Sequence, residues 1–318
     1  MFIHGHIFFL KMEKINKQAG RPPKALKRRI GERKGVLDGP LNSSSVFELS
    51  HDNPDMFKAI FDACKKVSED AHFIVSPDGV QIYCETKTQG CFALIEIFGA
   101  KVVGYYCREV RYFQCKCKTA LSILKSKKKG QEKIRLSIPN SDLYTMKITM
   151  TTNDKINESS SLTLDFDEPK DISYYHSLYA RVSEYPLHFT LKWAYFKELI
   201  NNWDTFKPSA IFFEKDHETN LIIGIKEDVG CEAEFENPES IDLVFNHPDL
   251  ISVGIPIVPI SSVSPSVSLS KKLTFHVAEN SELILSAKID ELYSTRDSPI
   301  VDTESATVKF FIQLKDTF

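Results

Sequence analysis

The sequence lacks the features that mark several large classes of protein. Its apolar runs all fall short of the roughly 20 residues that a membrane-spanning helix needs. It contains neither a glycine-rich phosphate loop nor a Gly-x-Ser-x-Gly nucleophile elbow. Its nine histidines do not pair with cysteines or carboxylates at a familiar ligand or catalytic spacing. We therefore expect no membrane segment, no metal or other cofactor, and no enzymatic activity.

Cysteine is scarce and shows no pairing pattern. The seven cysteines are odd in number, and Cys115 and Cys117 have no second Cys/His pair at ligand spacing. Most of the others lie in apolar or strand-like runs, where a buried thiol behaves as a small hydrophobic group. This pattern predicts a reducing intracellular compartment.

The first eleven residues are apolar but do not resemble a signal peptide. They lack a basic region before the apolar run and a small-residue cleavage site after it. An alternative is that translation begins at Met12, which would make residues 1–11 an upstream extension.

Net charge is also small, but its distribution is uneven. The 40 Lys+Arg and 43 Asp+Glu of the 318 residues give a formal net charge of −3. Residues 1–34 carry ten basic and two acidic residues, a balance of +8, so the remainder has a balance of −11. A basic arm on an acidic body is typical of proteins that contact nucleic acid with selected surfaces.

The arm, residues 1–45, is predicted to be disordered because its basic, Gly- and Pro-rich composition supplies too little apolar surface. Within it, Gly20–Lys24 resembles the core of an AT-hook, with Ala19 where that motif usually has arginine. Prolines hold such a segment extended in a narrow minor groove, and Arg21 and Lys24 are the candidate DNA contacts. The alternative is a solvated basic tail or a nuclear-import signal around Lys27–Arg29.

From Phe47 onward, a unit of one amphipathic helix followed by a β-hairpin recurs four times. The fourth helix is the weakest, because Pro259 and Pro265 interrupt the helical pattern. The predicted helices contain Phe57–Val67, Lys116–Lys128, Trp193–Trp203 and a weak segment within Ile257–Leu269; the predicted strand pairs contain Phe73–Val75 with Val80–Cys84, Ile134–Ile138 with Leu143–Met150, Ala210–Phe213 with Leu221–Ile225, and Leu273–Val277 with Leu283–Ala287.

Helices segregated to one side of antiparallel sheets give an α+β fold class. The chain length favours two domains, each of two units. We place the N-terminal domain at residues 46–167, an interdomain connector at 168–186, and the C-terminal domain at 187–318. The connector is polar but contains several tyrosines, which predicts that it makes apolar contacts.

This order of units resembles a DNA sliding clamp of the PCNA type over residues 46–314. The run from Phe47 to Val80 aligns without a gap with the first helix and hairpin of cellular PCNA, and Ser122–Lys125 matches the second helix of that family. The Gly20–Lys24 segment, Glu32–Gly35 and Asp52–Pro54 further resemble the PCNA-like proteins of African swine fever virus and related large DNA viruses.

The resemblance implies a ring, usually of three subunits of two domains, with helices lining the hole and sheets outside. Such a clamp encircles duplex DNA and tethers DNA polymerase and other replication or repair proteins through short peptides, without catalysis. It also implies a viral replication factory in the host cytoplasm or nucleus as the location. Sequence-blind attraction between lysines and phosphates suits a protein that slides.

Position by position, the resemblance implies DNA contacts on the inner helices. Cellular clamps carry lysine where this chain has Ala59 and Ser122, and the fourth helix has no cation. We therefore hypothesise that the arm compensates for weak DNA contact in the C-terminal half. An ordinary solvated helix face is the alternative for each lysine. The candidate residues are Lys58, Lys65, Lys66, Lys118, Lys125, Lys128 and Lys197, with Arg21 and Lys24 in the arm.

Partner peptides of the family dock beneath the connector, next to the C-terminal tail. The alternative is that the connector tyrosines pin the connector to the sheets. Family subunit contacts come from edge strands, which correspond here to about residues 161–166 and 220–226. The candidate peptide-binding residues are Gln89, Tyr174, Tyr175, Leu178, Tyr179, Ile312 and Leu314.

Other classes of function remain open at this point. One is a non-ring viral DNA-binding protein or late transcription factor that uses the basic arm. Another is a monomeric or dimeric processivity factor with the same fold. An enzyme is the third class, and no motif in the sequence favours it.

Overall fold

The computed structural model describes residues 44–87, 90–126, 132–152, 155–166, 168, 170–215, 221–225, 231–235, 242–245, 252–263, 269–278, 282–289 and 305–312. They belong to one compact unit, Gly35–Phe318. Residues 1–43 of the arm lie outside the described residues, as do five candidate site residues, two of them in the arm. These five are Arg21, Lys24, Gln89, Lys128 and Leu314. The division at residues 168–186 into two domains stays a prediction.

The described residues form five α-helices and nineteen strands. The helices are α1 (Pro54–Val67), α2 (Cys117–Lys125), α3 (Ser173–Ala180), α4 (Trp193–Asp204) and α5 (Ile257–Val263). The strands are β1 (Ser45–His51), β2 (Asp70–Ser76), β3 (Gly79–Glu85), β4 (Cys91–Phe98), β5 (Gly104–Cys107), β6 (Arg111–Lys116), β7 (Lys133–Pro139), β8 (Thr145–Thr152), β9 (Lys155–Thr163), β10 (Asp165–Phe166), β11 (Leu187–Lys192), β12 (Ala210–Lys215), β13 (Leu221–Ile225), β14 (Cys231–Phe235), β15 (Asp242–Phe245), β16 (Ser252–Pro256), β17 (Lys272–Val277), β18 (Leu283–Lys288) and β19 (Ala306–Ile312).

These strands build three sheets in the described part of the chain. The first has the order β5-β1-β7-β8-β9, the second β10-β6-β2-β3-β4-β19-β18-β17-β11-β15, and the third β14-β13-β12-β16. The ten-stranded sheet joins the two halves of the chain where β4 pairs antiparallel with β19. The fold class is therefore α+β, as the sequence predicts.

The second half of the chain repeats the topology of the first. The order β5-β1-β7-β8-β9 corresponds to β15-β11-β17-β18-β19, and β6-β2-β3-β4 corresponds to β16-β12-β13-β14. By this correspondence β9 is the counterpart of β19, and β14 is the counterpart of β4. Within the described residues, β9 and β14 each lie at the end of a sheet.

Helix α1 forms where the sequence supplies a cap, a first-turn proline and an apolar face. The Oδ1 atom of Asn53 accepts a hydrogen bond from the Asp55 backbone N–H at 2.9 Å, and Pro54 occupies the first turn. Phe57, Phe61 and the other apolar residues of this face are buried. The helix packs against α2, so the exposed faces of the two helices are neighbours.

The hairpin of β2 and β3 turns through Pro77, Asp78 and Gly79, as predicted. Gly79 has a φ of 155°, and a Cβ atom there would lie 2.2 Å from the carbonyl oxygen of Ile97. Only glycine allows β4 to approach this closely.

The predicted interruption of the fourth helix at Pro259 is wrong, and Pro265 lies outside the described residues. Helix α5 forms over Ile257–Val263 with Pro259 as its third residue. A proline in the first turn removes no intrahelical hydrogen bond, because the first N–H groups of a helix have no partner inside it. Helix α2 ends at Lys125 with Ser126 as its C-cap, and residues 127–128 of the predicted helix lie outside the described residues.

The six cysteines whose side chains are described all carry free thiols. Five of them are buried, and Cys107 is half-buried. Hydrogen bonds with the thiols of Cys117 and Cys64, together with burial, raise the pKa of Cys84 well above its usual value. These buried thiols therefore act as packing groups, as the sequence pattern predicts.

Candidate functional site

The exposed face of α1 carries three of the predicted DNA-contact residues. Lys58, Lys65 and Lys66 are all exposed, whereas the apolar residues between them are buried. Lys58 and Lys65 lie about two helical turns apart on the same face. Asp55 and the half-buried Asp62 share the solvent side of this helix. The helix therefore presents a basic but mixed surface.

Helix α2 places a second pair of lysines next to α1. Lys118 and Lys125 are exposed and lie on one face together with Ser122. The Ser122 hydroxyl donates a hydrogen bond to the Lys118 carbonyl oxygen at 2.9 Å. Lys116, just before the helix, pairs instead with Asp70 at 2.8 Å. Helices α1 and α2 together thus present five exposed predicted contact residues on adjacent surfaces.

The corresponding helices of the second half offer fewer cations. Lys197 of α4 is half-buried and precedes the exposed Glu198. Helix α5 contains no charged residue, and its Val258 side chain is 74% exposed. The cationic surface is therefore concentrated on the first half of the chain.

The connector folds into α3, which packs on the outer face of the ten-stranded sheet. The Tyr175 ring stacks on Phe92 with 3.6 Å between the ring centroids, and it also contacts Phe311. Leu178 is buried. We call this group the connector cluster. It comprises Tyr83, Phe92, Leu94, Ile172, Leu178, Tyr185, Ile284 and Phe311, with Tyr175 and Tyr179 packed against it.

Polar contacts hold both ends of the connector. Lys170 forms an ion pair with Glu85, and the Asp171 carboxylate accepts from the Ser173 N–H at 2.9 Å. At the other end, the Tyr185 hydroxyl donates to the Glu282 carboxylate. The connector tyrosines therefore pin this segment to the sheet, which is the alternative that the sequence left open.

The predicted peptide-binding residues do not form one surface. Tyr175 and Leu178 face the sheet, Tyr179 is half-buried, and Tyr174 is 53% exposed. Ile312 is 0% exposed because it faces the main core, and its neighbour Phe311 faces the connector. Of the described members of this set, Tyr174 presents the largest exposed aromatic surface.

Two histidines lie beside the connector cluster. The Nδ1 atoms of His188 and His276 are 2.8 Å apart, and His276 Nε2 lies 3.0 Å from the Ser286 hydroxyl. Burial, assisted by His188, lowers the pKa of His276 to about 4. The two histidines are 88 residues apart in sequence. Their contact follows from the register of β11 with β17, which the sequence pattern does not show.

One of the two predicted subunit edges is wrong. Residues 161–166 do fall on the end of β9 and on β10, at sheet ends. Residues 220–226 contain β13, which pairs with β12 on one side and β14 on the other. The strand at the end of this sheet in the described part is β14.

Within the described residues, no group of three or more His, Cys, Asp or Glu side chains could hold a metal ion. No helix among them is long and apolar enough to cross a membrane.

Replacing His276 with glutamine should flatten the dependence of stability on pH below 6.5. The folded chain keeps His276 neutral down to about pH 4, whereas an unfolded histidine takes up its proton near pH 6.5. The unfolded state therefore binds more protons between these values, and the free energy of unfolding falls as pH falls from 6.5 to 4. The expected loss for the unmodified chain is on the order of 2–3 kcal/mol, measured by urea unfolding at each pH. His72→Gln is the control for loss of a histidine, and equal slopes for H276Q and the unmodified chain would contradict the assignment.

No family model matches the chain. African swine fever virus proteins, named only as uncharacterized, are similar over most of its length. The protein from isolate Tick/South Africa/Pretoriuskop Pr4 is 23% identical over 303 residues, which cover 88% of this chain and 96% of the relative. The protein from isolate Pig/Kenya/KEN-50 gives the same identity and coverage.

Among solved structures, proliferating cellular nuclear antigen from Entamoeba histolytica covers 85% of this chain and 99% of its own, with a TM-score of 0.67 and 13% identity. At this level of identity the likeness establishes the fold. The predicted sliding-clamp, PCNA-like fold of this chain is thus confirmed.

Proposed function

We propose that this chain is a DNA sliding clamp, a polymerase processivity factor that closes into a ring of three copies around duplex DNA. It catalyses no reaction, and it tethers replication and repair enzymes through their short peptides. In this proposal, residues 46–167 and 187–318 are its two domains. The observation that carries the proposal is the pair of sheet ends β9 and β14.

The two end strands β9 and β14 are the topological counterparts of β19 and β4, the two strands that join the halves inside one chain. Strand β4 pairs antiparallel with β19, and their counterparts β14 and β9 lie at sheet ends in the described part. If β9 of one copy pairs with β14 of the next, the internal junction is repeated between chains. Such a head-to-tail contact generates a ring when its rotation closes. It also covers two strand edges that would otherwise invite aggregation.

The helices supply the surface for DNA. Helices α1 and α2 present Lys58, Lys65, Lys66, Lys118 and Lys125 to solvent. Lysine ammonium groups on helices attract phosphates without reading bases, as sliding requires. Because α4 and α5 add little positive charge, we assign Arg21, Lys24 and the rest of the basic arm a supporting role.

The connector is the proposed docking region for partner peptides. Because Tyr175 and Leu178 already occupy the apolar floor, a partner must bind beside α3, next to Tyr174, or displace α3. An exposed aromatic ring suits short amphipathic peptides as an anchor.

The second candidate is a non-ring DNA-binding protein that uses the arm. The observation that favours it is the charge balance of +8 over residues 1–34. By contrast, α1 carries charges of both signs, and α4 and α5 carry almost no cations.

A proline in β9 should break the ring without unfolding the chain. Successive residues of an edge strand direct their N–H groups alternately towards the neighbouring strand and away from it. Of Ser160→Pro and Ser161→Pro, one therefore removes a donor from the free edge and the other removes a hydrogen bond to β8. The first should lower the mass in light scattering from three chains to one chain of 36.2 kDa, with its melting temperature within a few degrees of the unmodified protein.

The second proline variant serves as the matched control, because it should lower the melting temperature. A mass of three chains in both variants would exclude β9 as the subunit contact.

Removing the inner-helix lysines should reduce the salt dependence of DNA binding. Each lost phosphate contact lowers the slope of log affinity against log salt by about 0.9. The triple variant Lys58→Ala, Lys65→Ala, Lys125→Ala should therefore lower the slope by up to about 2.7. Fluorescence anisotropy with a labelled duplex measures it, and Lys147→Ala on β8 is the control.

Deletion of residues 1–43 separates the two candidate functions. The deletion stops before Ser44, whose carbonyl oxygen accepts from the Asn140 N–H. If the arm only supports a clamp, the deletion should remove only part of the slope of log affinity against log salt. If the deletion removes all DNA binding while the triple variant has no effect, the arm-based function holds and the clamp proposal is wrong.

A further inference from the structure

The outer face of the ten-stranded sheet carries a basic depression that is separate from the DNA contacts and that the connector borders through Tyr179. We call it the outer trough. It is a cavity of about 430 Å³. Its lining consists of Tyr179, Thr190, Ser270, Lys272, Thr274, His276, Ser286, Ala287, Lys288, Thr307, Val308 and Lys309. No carboxylate is among these described lining residues.

Strand register arranges the trough in rows that cross the sheet. Lys192 lies opposite Lys272 on β11 and β17, and Lys288 of β18 lies opposite Thr307 of β19. The next row is made of hydroxyls. Thr190 lies opposite Thr274, with their oxygens 3.0 Å apart, and Thr274 lies opposite Ser286. A row of ammonium groups therefore runs alongside a row of hydroxyl donors.

The facing lysines Lys192 and Lys272 favour the binding of an anion. Like charges directly opposite each other on neighbouring strands are destabilising. Lys192 and Lys272 are both exposed, and neither forms an ion pair with a described residue. Lys309 is different, because it is only 8% exposed and pairs with Glu96. An anion over the row would remove the repulsion between Lys192 and Lys272.

The trough lies on the opposite side of the sheet from α1, α2, α4 and α5, whereas α3 packs beside it. Leu273 and Phe275 alternate with Lys272 and Thr274 along β17, and they face the core. The Phe275 ring meets Phe196 of α4 edge-on at 4.8 Å. DNA held by the exposed faces of α1 and α2 therefore cannot reach the trough.

A carboxylate at one end of the lysine row limits the length of the anion. Glu96 of β4 stands opposite Thr307 in register, beyond that end of the row. Three lysines on adjacent strands span roughly 10 Å. A long polyanion such as a nucleic-acid backbone would run past Glu96, whereas a short acidic segment ends before it.

We propose that the outer trough binds a short acidic segment of a partner polypeptide. Its carboxylates lie over Lys192 and Lys272, with Lys288 next in the row. One hydroxyl of the hydrogen-bonded Thr190–Thr274 pair and the hydroxyl of Ser286 donate hydrogen bonds to them. Tyr179 and His276 close the end next to the connector cluster. This assignment does not depend on ring formation.

The test uses the full-length chain and a fluorescein-labelled peptide of six glutamates at low ionic strength, with anisotropy as the readout. The double variant Lys192→Glu, Lys272→Glu should weaken binding at least tenfold. Lys101→Glu, Lys147→Glu makes the same charge change elsewhere and should stay within twofold of the unmodified chain. Thr274→Val, which removes one hydroxyl at nearly constant volume, should weaken binding severalfold. Circular dichroism melting checks that each variant is folded.

Four results would overturn the proposal. The first is no binding of the peptide to the unmodified chain. The second is equal binding to the unmodified chain and the Lys192, Lys272 variant, because the peptide would then sit on the basic arm. The third is competition by unlabelled octathymidylate that depends on Lys192 and Lys272, which would make the trough a nucleic-acid site. The fourth is binding only after the five acids of residues 290–304 are replaced by amides, which would assign the trough to the chain's own acidic segment.

Discussion

The antiparallel pairing of β4 with β19 is the contact on which the rest of the structure depends. It runs from Cys91 opposite Ile312 to Ile97 opposite Ala306, and it turns two half-sheets into one. On the core side, Phe310 of β19 meets Trp193 at the start of α4. On the outer side, Phe92 and Phe311 lie opposite each other and form the floor under Tyr175. A single strand pair thus organises both faces of the sheet.

The two faces carry different chemistry, and this separation underlies the functional proposals. The helix side presents lysines on α1 and α2, where sequence-blind contact with phosphates is possible. The outer side changes from an apolar floor beneath α3, through the hydroxyls of Thr190 and Thr274, to Lys192 and Lys272 at the far end. Because strand residues alternate between faces, one strand such as β17 serves the core and the outer trough at once.

Local patterns in the sequence predicted most of the elements, and non-local contacts determine what the sequence could not reveal. Helix α1 follows from the Asn53 cap and from the helical spacing of its apolar residues. The hairpin of β2 and β3 follows from the turn that ends at Gly79. Pro259 makes α5 the weakest of the predicted helices in the sequence pattern, although this proline lies in the first turn and leaves the helix intact. Helix α3 has no strong periodicity and depends on Tyr175 reaching Phe92, far away in the chain. The identity of the edge strand depends on β14 pairing with β13, which residues 220–226 alone do not show.

The central claim is that copies of this chain close around duplex DNA, and topological retention tests it most directly. The protein is assembled on a nicked circular duplex, washed at high salt to remove charge-dependent binding, and followed after a restriction enzyme linearises the circle. A ring stays on the circle at high salt and is lost once free ends appear, while protein blocks at both ends restore retention. Equal retention on circular and linear DNA, or complete loss from the circle at high salt, would contradict the account.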